Sequence, residues 1–366
     1  MIYFIIILSV FFLALLLITF GRYRGTPKKL PKNYIKGLEL LSDGDSERAI
    51  EYLNRAWKED PENIDAYLRV GDILREMGKA NSAIMIHRNL SVKPLIPRDK
   101  KIRVLKSLAE DYIAMKKYGE ATKVLIKSMH EGDESQETAR KLLWLFEMQE
   151  EWEKAYETAR NIFTDRKKLY SYGVYVGMKL LKKDPDRAYH YIRQGFKAKI
   201  PLAKLANAFY LLEKEDINSG IKELINVLKE YPSYSESGLG VLEKLMFDRG
   251  RFSEIESVYR DIIEKDPMNI TAINHYVDFL LKKGDKNKAL DLITNLNLPD
   301  NHPDTLHLKL TVYAETDIER IKELTPMLIR ACKSTRKYKC RECGYETEVF
   351  DWKCPNCLTV DSFVRV

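Results

Sequence analysis

The sequence predicts an all-α chain: a superhelix of stacked helix pairs, preceded by a transmembrane helix and closed by a small metal-held module. Three observations carry that reading. Small residues recur at a period of about 34 residues from Asn33 onward, the length of one helix-turn-helix repeat. The apolar residues between them fall at helical spacing, as in Ile50, Leu53, Ala56 and Trp57 or Leu242, Leu245 and Met246, and nothing reads as a strand before residue 338. Two Cys-x-x-Cys turns, Cys340/Cys343 and Cys354/Cys357, stand close together at the end.

Met1 to Phe20 carries no charged side chain, and as a helix it would reach about 30 Å, the thickness of a bilayer's hydrocarbon core. A cleaved signal peptide would need basic residues before the apolar stretch and a small-x-small cleavage site after it, and neither is present. Arg22, Arg24, Lys28, Lys29 and Lys32 all follow the span. The positive-inside rule then places the body in the cytoplasm. Residues 21–32, with Pro27 and Pro31, read as a short basic linker near anionic head groups.

Gly37 and Ala49 recur as Gly71 and Ala83, where two antiparallel helices would cross closely, and Ala109 with Ala121, Ala155, Ala188, Ala208 with Gly220, and Ala289 keep the register. Gly44, Gly78, Gly250 and Gly284 each precede the second crossing position, where a first helix must end in a left-handed cap. Asp60-Pro61, Asp184-Pro185 and Asp266-Pro267 read as helix starts, Asp capping and Pro preset for the first turn.

This pattern resembles the tetratricopeptide repeat family. The expected units lie at about 33–61, 64–97, 102–133, 136–164, 169–197, 203–232, 236–266 and 267–296, with a degenerate helical pair near 303–331, so the array spans 33–331. In 136–197 Leu143 and Val176 stand where small residues are expected. Stacked pairs of this family make a right-handed superhelix whose concave groove binds a peptide or another protein.

Each Cys-x-x-Cys turn sets two sulfurs on one side of a tight loop, and two such knuckles close a tetrahedron that zinc or iron accepts. Cys340, Cys343, Cys354 and Cys357 are therefore the expected ligands of one metal ion in a module over 336–366. So short a segment cannot build a core, and the metal must supply much of its folding free energy. Gly344 sits where a positive φ is wanted, Pro355 stiffens the second knuckle, and Tyr338, Tyr345, Phe350 and Trp352 are expected to shell the site. A closed four-thiolate shell points to a structural site rather than to electron transfer. The module is expected to pack against the last repeats. Cys332 is left over as an ordinary buried thiol, and with four of five cysteines in knuckles the chain suits a reducing compartment.

The 366 residues are 45% hydrophobic and 31% charged, an ordinary folded composition. The net charge of +7 concentrates in the linker and in Lys333, Arg336, Lys337, Lys339 and Arg341, leaving the middle close to neutral. A polyanion face is conceivable only at the C-terminal module, and solvated flanks are the simpler reading, so no nucleic-acid partner is expected. No enzyme is expected either. His87, His130, His190, His275, His302 and His307 are scattered without a paired acid or ligand spacing, and no phosphate-cradling loop, Gly-x-Ser-x-Gly or His-Glu-x-x-His occurs. Trp57, Trp144 and Trp152 have the spacing of repeat cores.

An N-terminal anchor, a tetratricopeptide array and a terminal four-cysteine knuckle together resemble the lipopolysaccharide assembly protein B family. Tyr338-Lys339-Cys340-Arg341-Glu342-Cys343-Gly344-Tyr345 and Trp352-Lys353-Cys354-Pro355-Asn356-Cys357 are similar to that family's rubredoxin-like zinc-ribbon ending. The resemblance implies an inner-membrane adaptor, single-pass with its body in the cytoplasm, that regulates lipopolysaccharide biosynthesis. It implies a membrane-anchored AAA+ protease, the lipid A deacetylase it degrades (the UDP-acyl-N-acetylglucosamine deacetylase) and other lipopolysaccharide assembly proteins as partners. Other readings are a scaffold for another membrane complex, a redox or iron sensor using the same thiolates, and a nucleic-acid-binding ribbon.

Overall fold

The computed structural model describes residues 31–296, 298, 303–331 and 337–365. The expected membrane span at 1–20, residues 21–30 of the linker and Cys332 lie outside them. Among the described residues no helix is long and apolar enough to cross a membrane.

The chain divides into two compact units, Met1–Gln149 and Glu150–Val366, each built of stacked helix pairs. The first holds α1 (Lys32–Ser42) with α2 (Ser46–Glu59), α3 (Ile64–Glu76) with α4 (Ala80–Ser91), α5 (Arg98–Ala114) with α6 (Tyr118–His130), and α7 (Gln136–Met148). The second opens with α8 (Trp152–Ile162), followed by α9 (Arg166–Leu180) with α10 (Pro185–Lys197) and α11 (Pro201–Glu213) with α12 (Ile217–Glu230). A 3-10 turn at Pro232–Tyr234 leads into α13 (Ser235–Phe247) with α14 (Phe252–Lys265), then α15 (Ile270–Lys283) with α16 (Lys286–Asn295), and α17 (Pro303–Thr316) with α18 (Ile318–Ala331). The last residues form an antiparallel sheet of β1 (Tyr338–Cys340), β2 (Glu346–Thr347) and β3 (Phe363–Arg365) in the order β2-β1-β3.

The small residues do what the spacing requires of them. A Cβ on Gly37 would stand 2.7 Å from Leu53 Cγ, and one on Gly71 would stand 2.3 Å from His87 Nε2. Gly44, Gly78, Gly250 and Gly284 take φ of 81, 76, 65 and 88°, the left-handed region that ends each first helix. Between α9 and α10 the close approach belongs to Gly177, whose Cβ would meet the Ala188 carbonyl oxygen at 2.9 Å. Val176 and Leu143, each fully buried, fill the core instead. The expected register was one residue out in this repeat.

Three sequence expectations are corrected. Only Asp184-Pro185 starts a helix, Asp184 accepting from the Arg187 N–H with Pro185 in the first turn. Asp60 and Asp266 terminate α2 and α14, and the caps of α3 and α15 are Asn63 and Asn269, three residues on, which accept from Ala66 and Ala272 N–H. Two histidines do have paired acids: fully buried His87 sets Nδ1 2.6 Å from Asp111 Oδ2 and Nε2 3.0 Å from the Leu68 carbonyl oxygen, and His275 Nδ1 lies 2.7 Å from Glu243 Oε1. Arg75 holds the other oxygen of Asp111 at 2.8 Å, so the buried carboxylate is paired on both sides. Trp152 is 9% exposed, but Trp144 is 39% exposed, because the buried stripe of α7 runs through Leu142, Leu143, Leu145 and Phe146 and leaves position 144 outside it.

Candidate metal centre

The two knuckles are built alike. The Gly344 N–H donates to the Cys340 carbonyl at 2.9 Å, and the Leu358 N–H donates to the Cys354 carbonyl at 2.9 Å. Both closing residues are left-handed, Gly344 at φ 75° and Leu358 at 62°. The Cys340 N–H reaches the Tyr345 carbonyl at 2.8 Å and the Cys354 N–H reaches that of Thr359 at 2.9 Å, tying each turn back on itself. β1 pairs Tyr338 with Thr347 and with Arg365, which fixes the first knuckle between the two outer strands.

The four sulfurs of Cys340, Cys343, Cys354 and Cys357 lie within 4.8 Å of one another. Two of the separations, Cys340 to Cys357 and Cys343 to Cys354, are 3.6 Å. A tetrahedral ion with sulfur ligands at about 2.3 Å has edges of about 3.8 Å, so this set fits one metal ion. The surroundings treat the sulfurs differently. The Ser362 and Thr359 hydroxyls lie 3.2 and 3.3 Å from the sulfurs of Cys340 and Cys357, within hydrogen-bonding reach. Burial pushes the Cys340 thiol up, but the Ser362 hydroxyl and the Cys343 and Glu342 N–H groups outweigh it and hold the pKa at about 6. The Tyr345 N–H lowers that of exposed Cys343. Burial dominates at Cys354 and pushes its thiol up to about 12. A bound cation would remove that conflict by holding all four sulfurs as thiolates.

Three of the aromatic residues expected around the sulfurs also tie the module to the helices. Tyr338, Phe350 and Trp352 run in a contiguous row, at centroid distances of 5.4 and 5.2 Å, and Trp352 meets Tyr234 of the 3-10 turn at 6.0 Å. Tyr345 is 39% exposed. The row docks the module onto the helices of its own unit. Tyr234 donates to Asp361 Oδ2 at 2.7 Å, Tyr338 donates to Glu236 of α13 at 3.0 Å, and Arg365 pairs with Asp304 of α17. Lys353, only 6% exposed beside the second knuckle, sets its Nζ 5.9 Å from the Tyr175 ring and 6.0 Å from the Tyr172 ring. The module therefore reaches α9 as well as the later helices, further back than the expected packing against the last repeats. No local pattern in the sequence marks these docking residues.

Comparison with known proteins agrees with this architecture. A rubredoxin metal binding domain model matches residues 338–365 and a tetratricopeptide repeat model matches 40–86. Lipopolysaccharide assembly protein B of Escherichia coli K12 is 22% identical over 343 residues, covering 90% of this chain and 88% of that protein. Its Haemophilus influenzae counterpart is 22% identical over 367 residues, covering 92% and 90%. The chain is thus similar to lipopolysaccharide assembly protein B over about nine-tenths of its length. The solved structure of Naa15/Naa10 bound to HypK-THB is similar in fold, with a TM-score of 0.51 over 84% of this chain and 54% of that one at 15% identity. The two domain models fall one in each unit, at the first repeats and at the terminal knuckles.

Proposed function

We propose that this chain is a non-enzymatic inner-membrane adaptor that regulates lipopolysaccharide biosynthesis. The observation that carries the reading is the similarity to proteins named lipopolysaccharide assembly protein B across about nine-tenths of the chain. On this reading residues 1–20 anchor the body, 21–32 lie at the cytoplasmic face, and the repeats of 33–331 bind partners. The partners are a membrane-anchored AAA+ protease, the lipid A deacetylase and other assembly proteins. Confining protease and client to one plane raises their effective concentration without any new contact.

In the same reading Cys340, Cys343, Cys354 and Cys357 hold one zinc or iron ion as a structural site. What supports this is the sulfur geometry and the docking of the module across α9, α13 and α17. The metal then sets the shape of the second unit through side chains that reach the repeats.

The test is the half-life of the lipid A deacetylase, measured by pulse-chase with and without depletion of this protein in its native bacterium. The adaptor reading expects depletion to lengthen it. An unchanged half-life would sink the proteolytic role and leave a membrane scaffold whose partners must be found by cross-linking.

A further inference from the structure

The loop between α4 and α5 carries an apolar tip with no shelter among the described residues. Leu95 is 99% exposed and held at φ +59°, and Val92 is 72% exposed. A leucine in the left-handed region is strained, and one fully in water gains nothing from burial, so this residue is costly to the isolated chain on both counts. Pro94 and Pro97 flank it and stiffen the tip. Around it, residues 88–103 hold Arg88, Lys93, Arg98, Lys100, Lys101 and Arg103 against the single carboxylate of Asp99. Glu62, Asp65 and Glu131 pair with four of these cations, and the cluster still keeps an excess of positive charge. The near-neutral middle of the chain therefore hides one basic segment.

Topology fixes which way the tip faces. Helices α1 to α4 alternate in direction, so the start of α1, the α2–α3 turn and the α4–α5 loop share one end of the helix pairs. Side chains confirm this: Asn33 donates to Glu59, Lys93 Nζ donates to the Pro61 carbonyl at 2.7 Å, and Arg98 donates to the Glu131 carbonyl. This is the end at which the chain enters the repeats from the basic linker. A linker of about a dozen residues reaches at most about 40 Å, so an anchored chain keeps this end close to the bilayer.

We propose that Leu95 and Val92 enter the boundary between head groups and acyl chains of an anionic bilayer while the basic collar lies on the head groups, a second membrane contact that sets the orientation of the repeats. The inference rests on the reading of residues 1–20 as a membrane anchor. The test uses the full-length chain carrying L95W, reconstituted in vesicles of phosphatidylcholine with phosphatidylglycerol or of phosphatidylcholine alone, with and without brominated acyl chains. The emission that L95W adds to the native tryptophans is expected to shift to the blue and to be quenched by bromine in anionic vesicles, and to lose most of that quenching without phosphatidylglycerol. Unquenched added emission from a protein that floats with the vesicles would overturn the loop contact and leave the anchor reading standing. A wild-type chain that fails to float would overturn both, and equal quenching in both lipids would overturn the anionic assignment. Should L95W misfold, hydrogen exchange tests the same contact: residues 92–97 of the wild type should exchange more slowly in anionic than in neutral vesicles. L95G, which accepts the positive φ, should show no difference, and a wild type without the difference would refute the contact.

Discussion

Replacing Tyr234 by Phe removes one oxygen and tests whether the repeats support the metal module. Tyr234 is 3% exposed and donates to Asp361 Oδ2 at 2.7 Å, a pairing between the 3-10 turn and the segment after the second knuckle. Burial raises the Asp361 carboxyl pKa, opposed by the Tyr234 hydrogen bond and by Arg341, so the hydroxyl is part of what lets a carboxylate sit there. Deleting a hydrogen bond to a charged, largely desolvated acceptor costs about 1.5–3 kcal/mol. At about 1.4 kcal/mol per factor of ten, the docked module becomes roughly ten- to a hundredfold less populated relative to its undocked form. Since metal binding and folding of such a module are one equilibrium, metal affinity of the full chain should fall by up to the same factor. Competition against a chromophoric chelator reads this directly, and far-ultraviolet circular dichroism should show the helices unchanged. The D361N variant completes a double-mutant cycle, with a coupling of about 1–2 kcal/mol expected between the two positions. If Y234F holds metal as tightly as the wild type, and D361N costs the same in either background, the docking contact does not stabilise the module and the argument fails.

Replacing Cys340 and Cys343 together by Ser should release the metal and unfold the terminal module while most of the helical signal survives. Metal analysis with circular dichroism checks this, and retention of one equivalent of metal would contradict the ligand assignment. G71A should destabilise the first unit by about 1–3 kcal/mol, because overpacking against the ring of His87 exceeds the gain of about 1 kcal/mol in helix propensity; an unchanged melting temperature would refute that sign. W152A should cost about 3–5 kcal/mol, since it empties a buried site facing Tyr175 at 6.1 Å. W144A should cost about 1 kcal/mol or less, its ring meeting the edge of Tyr118 at 5.5 Å from an exposed position. Equal effects in urea titrations would mean that exposure does not rank these positions. L358G should relieve about 1 kcal/mol of left-handed strain but lose a side chain that is only 8% exposed, so a net loss of metal affinity is expected, and a gain would show that strain dominates.

What the sequence reveals about this chain depends on how far apart the interacting residues are. Helix crossings were legible because backbones that approach this closely admit only small residues, and the spacing from Gly37 to Ala49 is set by two helices and one turn. The same rule missed by one residue at Gly177, where the close approach to α10 falls one position past the buried Val176. The sulfurs were legible because each knuckle is local. The docking of the module was not: Tyr234 and Asp361 are 127 residues apart and Tyr338 and Glu236 are 102 apart, so no periodicity connects them. His87 and Asp111 lie 24 residues apart on α4 and α5, and no sequence pattern announces that Gly71 leaves room for an imidazole. The two knuckles show the same limit at its smallest scale. Gly344 announces a left-handed turn, while its structural equivalent is Leu358, a residue type that argues against that conformation. There the side chain is buried, so a backbone requirement written openly in one knuckle is concealed in the other by a residue whose place is set by burial.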